Sequence, residues 1–323
     1  RPEGVYVRQG YSSVPATDTA IRKMIKETDG DHFEDMRSLD QELTFCETKK
    51  EFQKRNITLE QPQMKILGII NQDGIYTNLA LLLSDQCVHT IKTAVFEGKN
   101  QNIFKDRKEF TGSLFAQMEA VYDYIDFRNQ THSTFEKLYR IDNRDYPEVA
   151  VREALLNCLV HRDYGYSSSI LISMYEDRLE FTSIGGLVTG VTLEDVMMGI
   201  SVCRNKKLAN VFYRLELIEA YGTGIQKIMN AYQDQFIKPE IKVSNNVFKI
   251  ILPNTNAQAE LREELQYHTH IQPEDEETQI MQMIDQEKRI QRKQVQERLG
   301  ISQTTSGRIL KQMVKKGLIM QRG

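Results

Sequence analysis

The sequence lacks several features that would assign a function directly. No Gly-x-x-x-x-Gly-Lys-Ser/Thr motif occurs, so the phosphate-binding loop of helicases and most ATPases is absent. No apolar run reaches the roughly 18 residues that a membrane helix needs, and no secretory signal opens the chain. The four cysteines are far apart and form no Cys-x-x-Cys pair, which indicates neither a zinc site nor a disulfide framework. Together these absences favour a cytoplasmic protein with no membrane partner.

The chain also lacks a strong excess of charge of either sign. Its 323 residues carry a net charge of -3, and 27% of them are charged. Residues 278–323 are the exception, because basic side chains greatly outnumber acidic ones there. Their apolar spacing predicts three helices, at 279–287, 292–299 and 302–316, with Gly300 making the tight turn between the last two. Gly317-Leu318-Ile319 is expected to lead into a short strand. This order is typical of a winged helix-turn-helix.

The last of these helices is the predicted DNA-binding element. Polar residues at its start are suited to reading base edges, and the lysines further along are suited to phosphates. The predicted contact residues are Gln303, Thr304, Thr305, Arg308, Lys311, Lys315 and Lys316. DNA is therefore the expected partner. The alternative is a winged helix that docks on protein and has a solvated basic face.

A helix predicted over 147–161 is the centre of the remaining chain. Apolar residues surround it almost completely, so it should be buried. Only Glu153, Asn157 and His161 interrupt the apolar surface, and their four-residue spacing places them on one stripe. Burying three such groups without partners costs several kcal/mol. The pattern therefore predicts a polar cavity or ligand beside this helix.

The segments that follow add glycines and basic residues. A strand pair is predicted at 169–175 and 178–183, and Gly185 and Gly186 come directly after it. Arg204 and Asn205 precede one helix, and Gly222 and Gly224 open another. Glycines just before a helix allow backbone N–H groups to approach an anion closely.

These motifs resemble a known family. The motifs are Tyr146-Pro147, Arg152-Glu153-Ala154-Leu155-Leu156-Asn157, His161-Arg162-Asp163-Tyr164, Gly185-Gly186, Arg204-Asn205 and Gly222-Thr223-Gly224. They are similar to those of bacterial transcriptional regulators labelled "RecG-like" or "divergent ATPase". The resemblance implies a Schlafen-type AlbA-like domain, then a domain related to the GHKL ATP-binding fold, then a winged helix. The chain would begin within the AlbA-like domain.

The resemblance also implies roles for individual residues. Glu153 matches the general base and Asn157 the Mg²⁺ ligand of GHKL proteins, while Gly222 and Gly224 match the phosphate lid. The nucleotide-binding set is then Asn157, His161, Arg162, Asp163, Gly185, Gly186, Arg204, Asn205, Gly222 and Gly224, with ATP and Mg²⁺ as the implied cofactors. GHKL proteins carry an aspartate before the first glycine loop, where this chain has Thr182-Ser183-Ile184. The alternative to a nucleotide site is that Glu153, Asn157 and His161 form a structural network that holds the helix to the hairpin. Arg162 and Asp163 would then be an ion pair.

The expected fold class is α+β, with a GHKL-like α/β sandwich and a C-terminal winged helix-turn-helix. The predicted domains are 1–26 (the end of an AlbA-like domain), 27–143 (α/β), 144–253 (GHKL-like), 254–277 (linker) and 278–323 (winged helix). We favour a DNA-binding transcriptional regulator, expected to be a homodimer, whose central region senses a nucleotide or another ligand. The alternative is a Mg-dependent ATP-binding or ATP-hydrolysing protein.

Overall fold

The computed structural model describes residues 4–17, 21, 32–219, 221–257, 276–287 and 289–320. They fall into two compact units, residues 1–258 and residues 259–323. Most of the predicted linker 254–277 and part of the predicted AlbA-like segment 1–26 lie outside the described residues. Among the helices in the described ranges, none combines the length and apolarity needed to cross a membrane.

The described part of the first unit includes ten strands, eight α-helices and one 3₁₀ helix (Phe33–Asp35). The strands are β1 (Tyr6–Gln9), β2 (Ser12–Pro15), β3 (Ile91–Phe96), β4 (Phe104–Phe110), β5 (Thr131–Glu136), β6 (Tyr139–Arg144), β7 (Ile170–Met174), β8 (Arg178–Ile184), β9 (Glu240–Val243) and β10 (Val247–Pro253). The helices are α1 (Cys46–Lys54), α2 (Gln61–Leu67), α3 (Asn78–Leu83), α4 (Leu114–Arg128), α5 (Glu148–His161), α6 (Leu193–Met197), α7 (Lys206–Arg214) and α8 (Gly224–Ala231).

A six-stranded mixed sheet is the frame of this unit. Its strand order is β4-β3-β7-β8-β10-β9, and only the pairing of β3 with β7 is parallel. Buried and less buried residues alternate along β10, as expected for a strand with one face on the core. The predicted hairpin β7–β8 is confirmed. Strands β9 and β10 form a second antiparallel pair, in which Phe248 lies opposite Val243.

The sheet extends across the domain boundary predicted between residues 143 and 144. Strands β3 and β4 precede that boundary, yet β3 pairs with β7 from Ile91↔Ile170 to Val95↔Met174. Both regions belong to one compact unit. A sheet edge left open at β7 would have unpaired backbone groups, and β3 supplies their partners.

Helix α5 lies in the middle of the core, as its apolar surface predicts. Ala150, Ala154, Cys158 and Leu159 are each fully buried. Pro147 is the residue immediately before the helix, which ends at His161. The large hydrophobic core joins α5 to α4, α7, α8 and the sheet, so the stripe of polar residues on α5 is held in a rigid setting.

The second unit is a three-helix module formed by α9 (Glu276–Glu287), α10 (Arg292–Leu299) and α11 (Gln303–Lys315). Its small core consists of Ile280, Val295, Ile309 and Met313. Gly300 has φ 64° and ends α10, and the Ser302 side chain caps α11. The bounds of α10 agree with the predicted ones. Residues 317–319 form a turn and a bend, and the strand predicted to follow them falls mainly on residues 321–323, which lie outside the described residues. The predicted α+β class is confirmed.

Candidate functional site

A cavity of about 410 Å³ lies between α5, α7, α8 and the segment 185–202. Its lining includes eight residues that the sequence suggested: Glu153, Asn157, His161, Gly185, Gly186, Arg204, Gly222 and Gly224. They come from two helices, α5 and α8, and from three loops. Folding therefore places most of the predicted set around one space large enough for a small ligand.

The polar stripe of α5 forms one wall of this cavity. The Glu153 carboxylate accepts a hydrogen bond of 2.6 Å from Arg152 Nη1, and Oε1 lies 4.0 Å from Lys227 Nζ. The side chains of Asn157 and His161 have no hydrogen-bond partner among the residues that the structure describes. Because enclosed polar groups are normally hydrogen-bonded, Asn157 and His161 are the groups in this wall most available to a ligand.

His161 is neutral at physiological pH. Burial, together with the nearby Arg204 guanidinium, lowers the pKa of the imidazole to about 4. A neutral ring offers one donor and one acceptor. His161 is thus equipped for a hydrogen bond to a ligand, and the positive charge needed for an anion must come from elsewhere.

The first glycine pair is required by packing. Gly185 has φ 110°, and a Cβ there would lie 3.0 Å from the backbone nitrogen of Asp163. A Cβ at Gly186 would lie only 2.4 Å from the carbonyl oxygen of Ser244 in the β9–β10 turn. Real Cβ atoms essentially never approach as closely as a Cβ at Gly186 would, and at Gly185 the positive φ adds strain to a tight contact. The pair therefore fixes the rim of the cavity against the sheet.

The second glycine pair brings α8 close to α5. Gly222 has φ 68°, and a Cβ there would lie 2.3 Å from the carbonyl oxygen of Gly199. A Cβ at Gly224 would lie 3.1 Å from Oε2 of Glu153. The start of α8 consequently lies against the polar stripe of α5 and beside the segment that covers the cavity.

The N-terminus of α8 points its partial positive charge at this cavity. The first backbone bond of the helix runs from the Lys227 N–H to the Thr223 carbonyl at 2.9 Å. The N–H groups of the preceding turn, from Gly224 onwards, have no partner within the helix. Gly224 and Ile225 line the cavity. Free amides at the positive end of a helix are suited to a phosphate or another anion.

Three basic side chains add positive charge to the lining. Arg204 pairs with Asp163 at 3.3 Å and donates to the Gly186 carbonyl at 3.0 Å. Lys227 pairs with Glu219 at 2.6 Å. Lys206, at the start of α7, has no ion pair with any residue in the described ranges. Of the three, Lys206 is the cation whose charge is not balanced by a carboxylate.

Arg162 does not line the cavity. It is 1% exposed and faces the interior, where Nη2 contacts His89 Nδ1 at 3.1 Å and donates to the carbonyl oxygens of Tyr166 and Ser168. The expected ion pair between Arg162 and Asp163 is not found, since the Asp163 carboxylate turns to Arg204. Arg162 therefore ties the end of α5 to the loop that leads into β7.

Asn205 is also engaged in the fold rather than in the cavity. Its amide donates to the carbonyl oxygens of Val160 and Arg162, at 2.8 and 2.7 Å, and so completes the C-terminal end of α5. At the N-terminus of α7, the buried carboxylate of Glu34 accepts hydrogen bonds from the backbone N–H groups of Lys207 and Leu208. That helix end is therefore closed to an external anion.

Glu34 and Lys227 are the residues that sequence reasoning missed. Lys227 lies three positions after Gly224, in the first turn of α8, which is a signal that was available in the sequence. Glu34 reaches Lys207 across 173 positions, and no local pattern announces that contact. Burial raises the pKa of the Glu34 carboxyl, although its two backbone hydrogen bonds oppose this.

The position of the missing aspartate is closed off. Ser183 is 1% exposed and lies close enough to Cys158 to hydrogen-bond with its thiol. Residues 182–184 do not line the cavity, whereas Gly185 and Gly186, directly after them, do. The amino group of an adenine would find no side chain of this segment to recognise it.

The predicted DNA-binding residues lie along one exposed side of α11. Gln303, Thr304, Arg308, Lys311 and Lys315 are exposed, while the hydroxyl of Thr305 is within 2.8 Å of the capping Ser302 Oγ. The buried residues of the same helix, Ser306, Ile309 and Met313, face the core. This separation is what a recognition helix requires.

Lys316 differs from the other predicted contacts. Its Nζ lies 2.8 Å from Glu277 Oε2, and the glutamate side chain is 17% exposed. The pair joins the end of α11 to the start of α9. Lys316 is accordingly less available to a phosphate than Lys311 or Lys315, for which the described residues supply no ion pair.

Two family models match parts of the chain. Residues 167–252 match "Putative ATP-dependent DNA helicase recG C-terminal", and residues 277–320 match "Winged helix-turn-helix DNA-binding". The chain thus combines a recG-C-terminal-like domain with a winged helix-turn-helix, as the resemblance implied. The first match begins after α5, so Glu153 and Asn157 lie outside it. Comparison with curated proteins gives no significant match.

One solved structure is similar over most of the chain. It is the crystal structure of the DIP2311 protein from Corynebacterium diphtheriae, with a TM-score of 0.62 and 19% sequence identity. The match covers 95% of this chain and 65% of the other. At this identity the similarity concerns the fold. The chain spans about two thirds of the length of that protein.

Proposed function

We propose that this protein is a DNA-binding transcriptional regulator that acts in the cytoplasm and whose first unit senses a phosphate-bearing ligand, in the first instance a nucleotide. The observation that supports the proposal is the presence of two different sites in one chain. One is the exposed, basic side of α11 in a winged helix. The other is the cavity where Asn157 and His161 have no described partner and the start of α8 offers free amides.

The winged helix would bind duplex DNA through α11. Arg308 is placed to reach base edges, and Lys311 and Lys315 are placed to contact phosphates. Each phosphate contact releases counterions, so the affinity falls as salt rises, with a slope of about -0.9 per contact. A regulator also needs a ligand-dependent change, which the cavity would provide by favouring one of two states.

The DNA proposal is tested by fluorescence anisotropy with a labelled duplex at several salt concentrations. Lys311→Ala should lower the affinity for every duplex and reduce the salt slope by about 1. Arg308→Ala should lower the preference for a selected site over random DNA by about 10-fold or more. Lys50→Ala is the matched control, because Lys50 is an exposed lysine of α1 in the other unit. Unchanged affinity and slope in both α11 variants would reject the proposed docking.

A nucleotide fits the cavity through its phosphates. The amides at the start of α8 and the ammonium of Lys206 would bind phosphate oxygens. The side-chain oxygen of Asn157 would coordinate Mg²⁺ and would be its single protein ligand. The described residues contain no group of three or more His, Cys, Asp or Glu side chains arranged for a metal. That agrees with a Mg²⁺ ion that takes most of its ligands from phosphate and water, and that supplies charge neutralisation when bound.

Isothermal titration calorimetry of ATP with Mg²⁺ tests the ligand site. We expect binding to the wild-type chain and a loss of at least about 10-fold in affinity for Asn157→Ala. Ser133→Ala is the control, since its hydroxyl lies on the separate β5–β6 hairpin. If neither inorganic triphosphate nor any nucleotide binds, the polar stripe of α5 is structural and the function resides in the winged helix.

The alternative function is ATP hydrolysis of the GHKL type. It is favoured by the position of Glu153, one turn from Asn157 and beside the start of α8. Glu153 would then orient or deprotonate the attacking water, although its carboxylate is engaged by Arg152. Phosphate release that persists over many turnovers and disappears in Glu153→Gln would establish the enzyme. Binding without release would leave the nucleotide as a regulatory ligand.

A further inference from the structure

The β5–β6 hairpin stands apart from the core of the first unit. Its two six-residue strands pair in continuous register from Thr131↔Arg144 to Glu136↔Tyr139 and form a separate two-stranded sheet. Every residue of β6 before Arg144 is exposed. An isolated two-stranded hairpin is at best marginally stable in water, because neither face is buried. The hairpin therefore lacks the burial that stabilises sheets elsewhere in the chain.

Large apolar side chains are exposed on this hairpin. Phe135 is 75% exposed, Leu138 94%, Tyr139 77% and Ile141 38%. Single exposed apolar residues are ordinary, but four within seven positions on one small element are not. Such a cluster is typical of a surface that another molecule covers.

The outer edge of β6 has two residues with free backbone groups. The Asp145 N–H donates to the Gln130 carbonyl at 2.9 Å, so the odd-numbered residues of β6 direct their backbone groups at β5. The even-numbered residues, Arg140, Asp142 and Arg144, direct theirs outward. The Arg144 carbonyl already accepts a hydrogen bond from Thr255 Oγ1 at 2.7 Å. Arg140 and Asp142 remain, without backbone partners among the described residues.

We propose that the outer edge of β6 pairs antiparallel with β6 of a second copy of this chain, with Ile141 opposite its own counterpart on the two-fold axis. In that register Arg140 lies opposite Asp142 of the second copy, and Asp142 lies opposite its Arg140. The two outward-facing residues of each chain exchange both backbone hydrogen bonds with the other. The two-stranded hairpins become one four-stranded sheet.

The charge pattern selects this register. A two-fold axis at residue 140 would place Arg140 against Arg140, and an axis at residue 142 would place Asp142 against Asp142. An axis midway between residues 141 and 142 would place Ile141 opposite Asp142. Only the axis at Ile141 sets opposite charges against each other on one face of the sheet. It also gathers Tyr139 and Ile141 of both copies on the other face.

This assembly has a consequence for the DNA-binding unit. The chain leaves the first unit at the base of the same hairpin, where Asn256 Nδ2 contacts the Asn143 carbonyl at 3.3 Å and Asp145 Oδ1 at 2.8 Å. Residues 258–275 then lead to α9. Joining two hairpins brings two such exit points together about one axis. A dimer carries two winged helices, and such a pair is suited to a site with two half-sites.

The test uses charge reversal in the whole 323-residue chain, with the dimer measured by sedimentation and mass photometry. Arg140→Glu sets a carboxylate against Asp142 of the other copy, and Asp142→Arg sets a second guanidinium against Arg140. Each single variant should raise the dimer dissociation constant by about 10-fold or more. Lys242→Glu is the matched control, because Lys242 and Glu240 form a similar exposed pair two residues apart on the edge strand β9. It should leave the dimer unchanged.

Mixing the two single variants separates pairing between chains from effects within one chain. Arg140 and Asp142 also form a pair within the hairpin at 2.7 Å, and each single variant breaks that pair. In a mixed dimer, however, both contacts across the axis are attractive, so we expect heterodimers with an affinity within about 3-fold of the wild type. Circular dichroism of each variant checks that it is folded.

Three results would overturn the proposal. They are a wild-type chain that remains monomeric up to about 100 µM, a dimer that tolerates both single reversals, and a mixture of the two variants that forms no heterodimer. None of them bears on whether α11 binds DNA or the cavity binds a nucleotide, because neither site uses the hairpin. Those two functions keep their own tests.

Discussion

Replacing Arg162 by methionine tests the assignment of this residue to the core instead of the ligand cavity. Its guanidinium is almost completely buried and contacts His89 Nδ1 and the carbonyl oxygens of Tyr166 and Ser168. No carboxylate pairs with it among the described residues, and its Nε has no hydrogen-bond partner there. Methionine keeps most of the side-chain volume and removes every one of these hydrogen bonds.

The expected loss of stability follows from two opposing effects. Leaving buried acceptors unpaired costs roughly 1–3 kcal/mol for each group. Removing an incompletely paired charge from the interior returns part of that cost, because the desolvation of the guanidinium is no longer required. We therefore expect Arg162→Met to destabilise the first unit by about 2–4 kcal/mol. The affinity for a ligand of the cavity should stay within about 3-fold of the wild type at low temperature.

The assay is urea unfolding, followed by hydrogen exchange of peptides from α5 and β7 so that the first unit is observed separately. Arg204→Met is the comparison, since Arg204 lines the cavity and is partly exposed. It should reduce ligand affinity more and stability less than Arg162→Met. Wild-type stability in Arg162→Met, or a stable variant that has lost ligand binding, would refute the placement of Arg162 in the core.

Further predictions concern the loops, the pH dependence and the ligand. Gly186→Ala should destabilise the first unit by about 2 kcal/mol or more in thermal unfolding, because its Cβ would lie 2.4 Å from the Ser244 carbonyl oxygen. Glu34→Ala should cost about 2–3 kcal/mol by leaving two N–H groups of α7 unpaired, and Glu34→Gln should cost less. Burial lowers the pKa of His89 from 6.5 to about 4, so between these values the unfolded chain binds a proton that the folded chain does not. His89 therefore leaves the free energy of unfolding unaffected above pH 6.5 and reduces it as the pH falls towards 4. The complete reduction in the free energy of unfolding that is due to His89 is about 3 kcal/mol. Urea titrations across that pH range should show a shallower pH dependence for His89→Gln than for the wild type. Finally, competition calorimetry should give ATP and GTP affinities within about 10-fold of each other, since residues 182–184 do not line the cavity; a strong preference for ATP would show that another side chain reads the base.

Local patterns predicted the elements of this protein well. The bounds of α10, the capping of α11 by Ser302 and the stripe of Glu153, Asn157 and His161 on α5 all follow from periodicity and capping rules that act within a few residues. The glycine pairs were also recognisable in the sequence, and at Gly186 and Gly222 a Cβ would lie only 2.4 and 2.3 Å from a backbone carbonyl oxygen.

The sequence by itself determined which segments are helices and strands, which face of α5 is polar, and that the C-terminal module is basic. It did not determine which polar groups meet. Arg162 and Asn205 adjoin the predicted site in sequence, yet folding turns both into supports for the end of α5. Glu34 closes the N-terminus of α7 from far along the chain. Such contacts depend on how whole elements pack, and packing is decided by the shared core and not by neighbours in sequence.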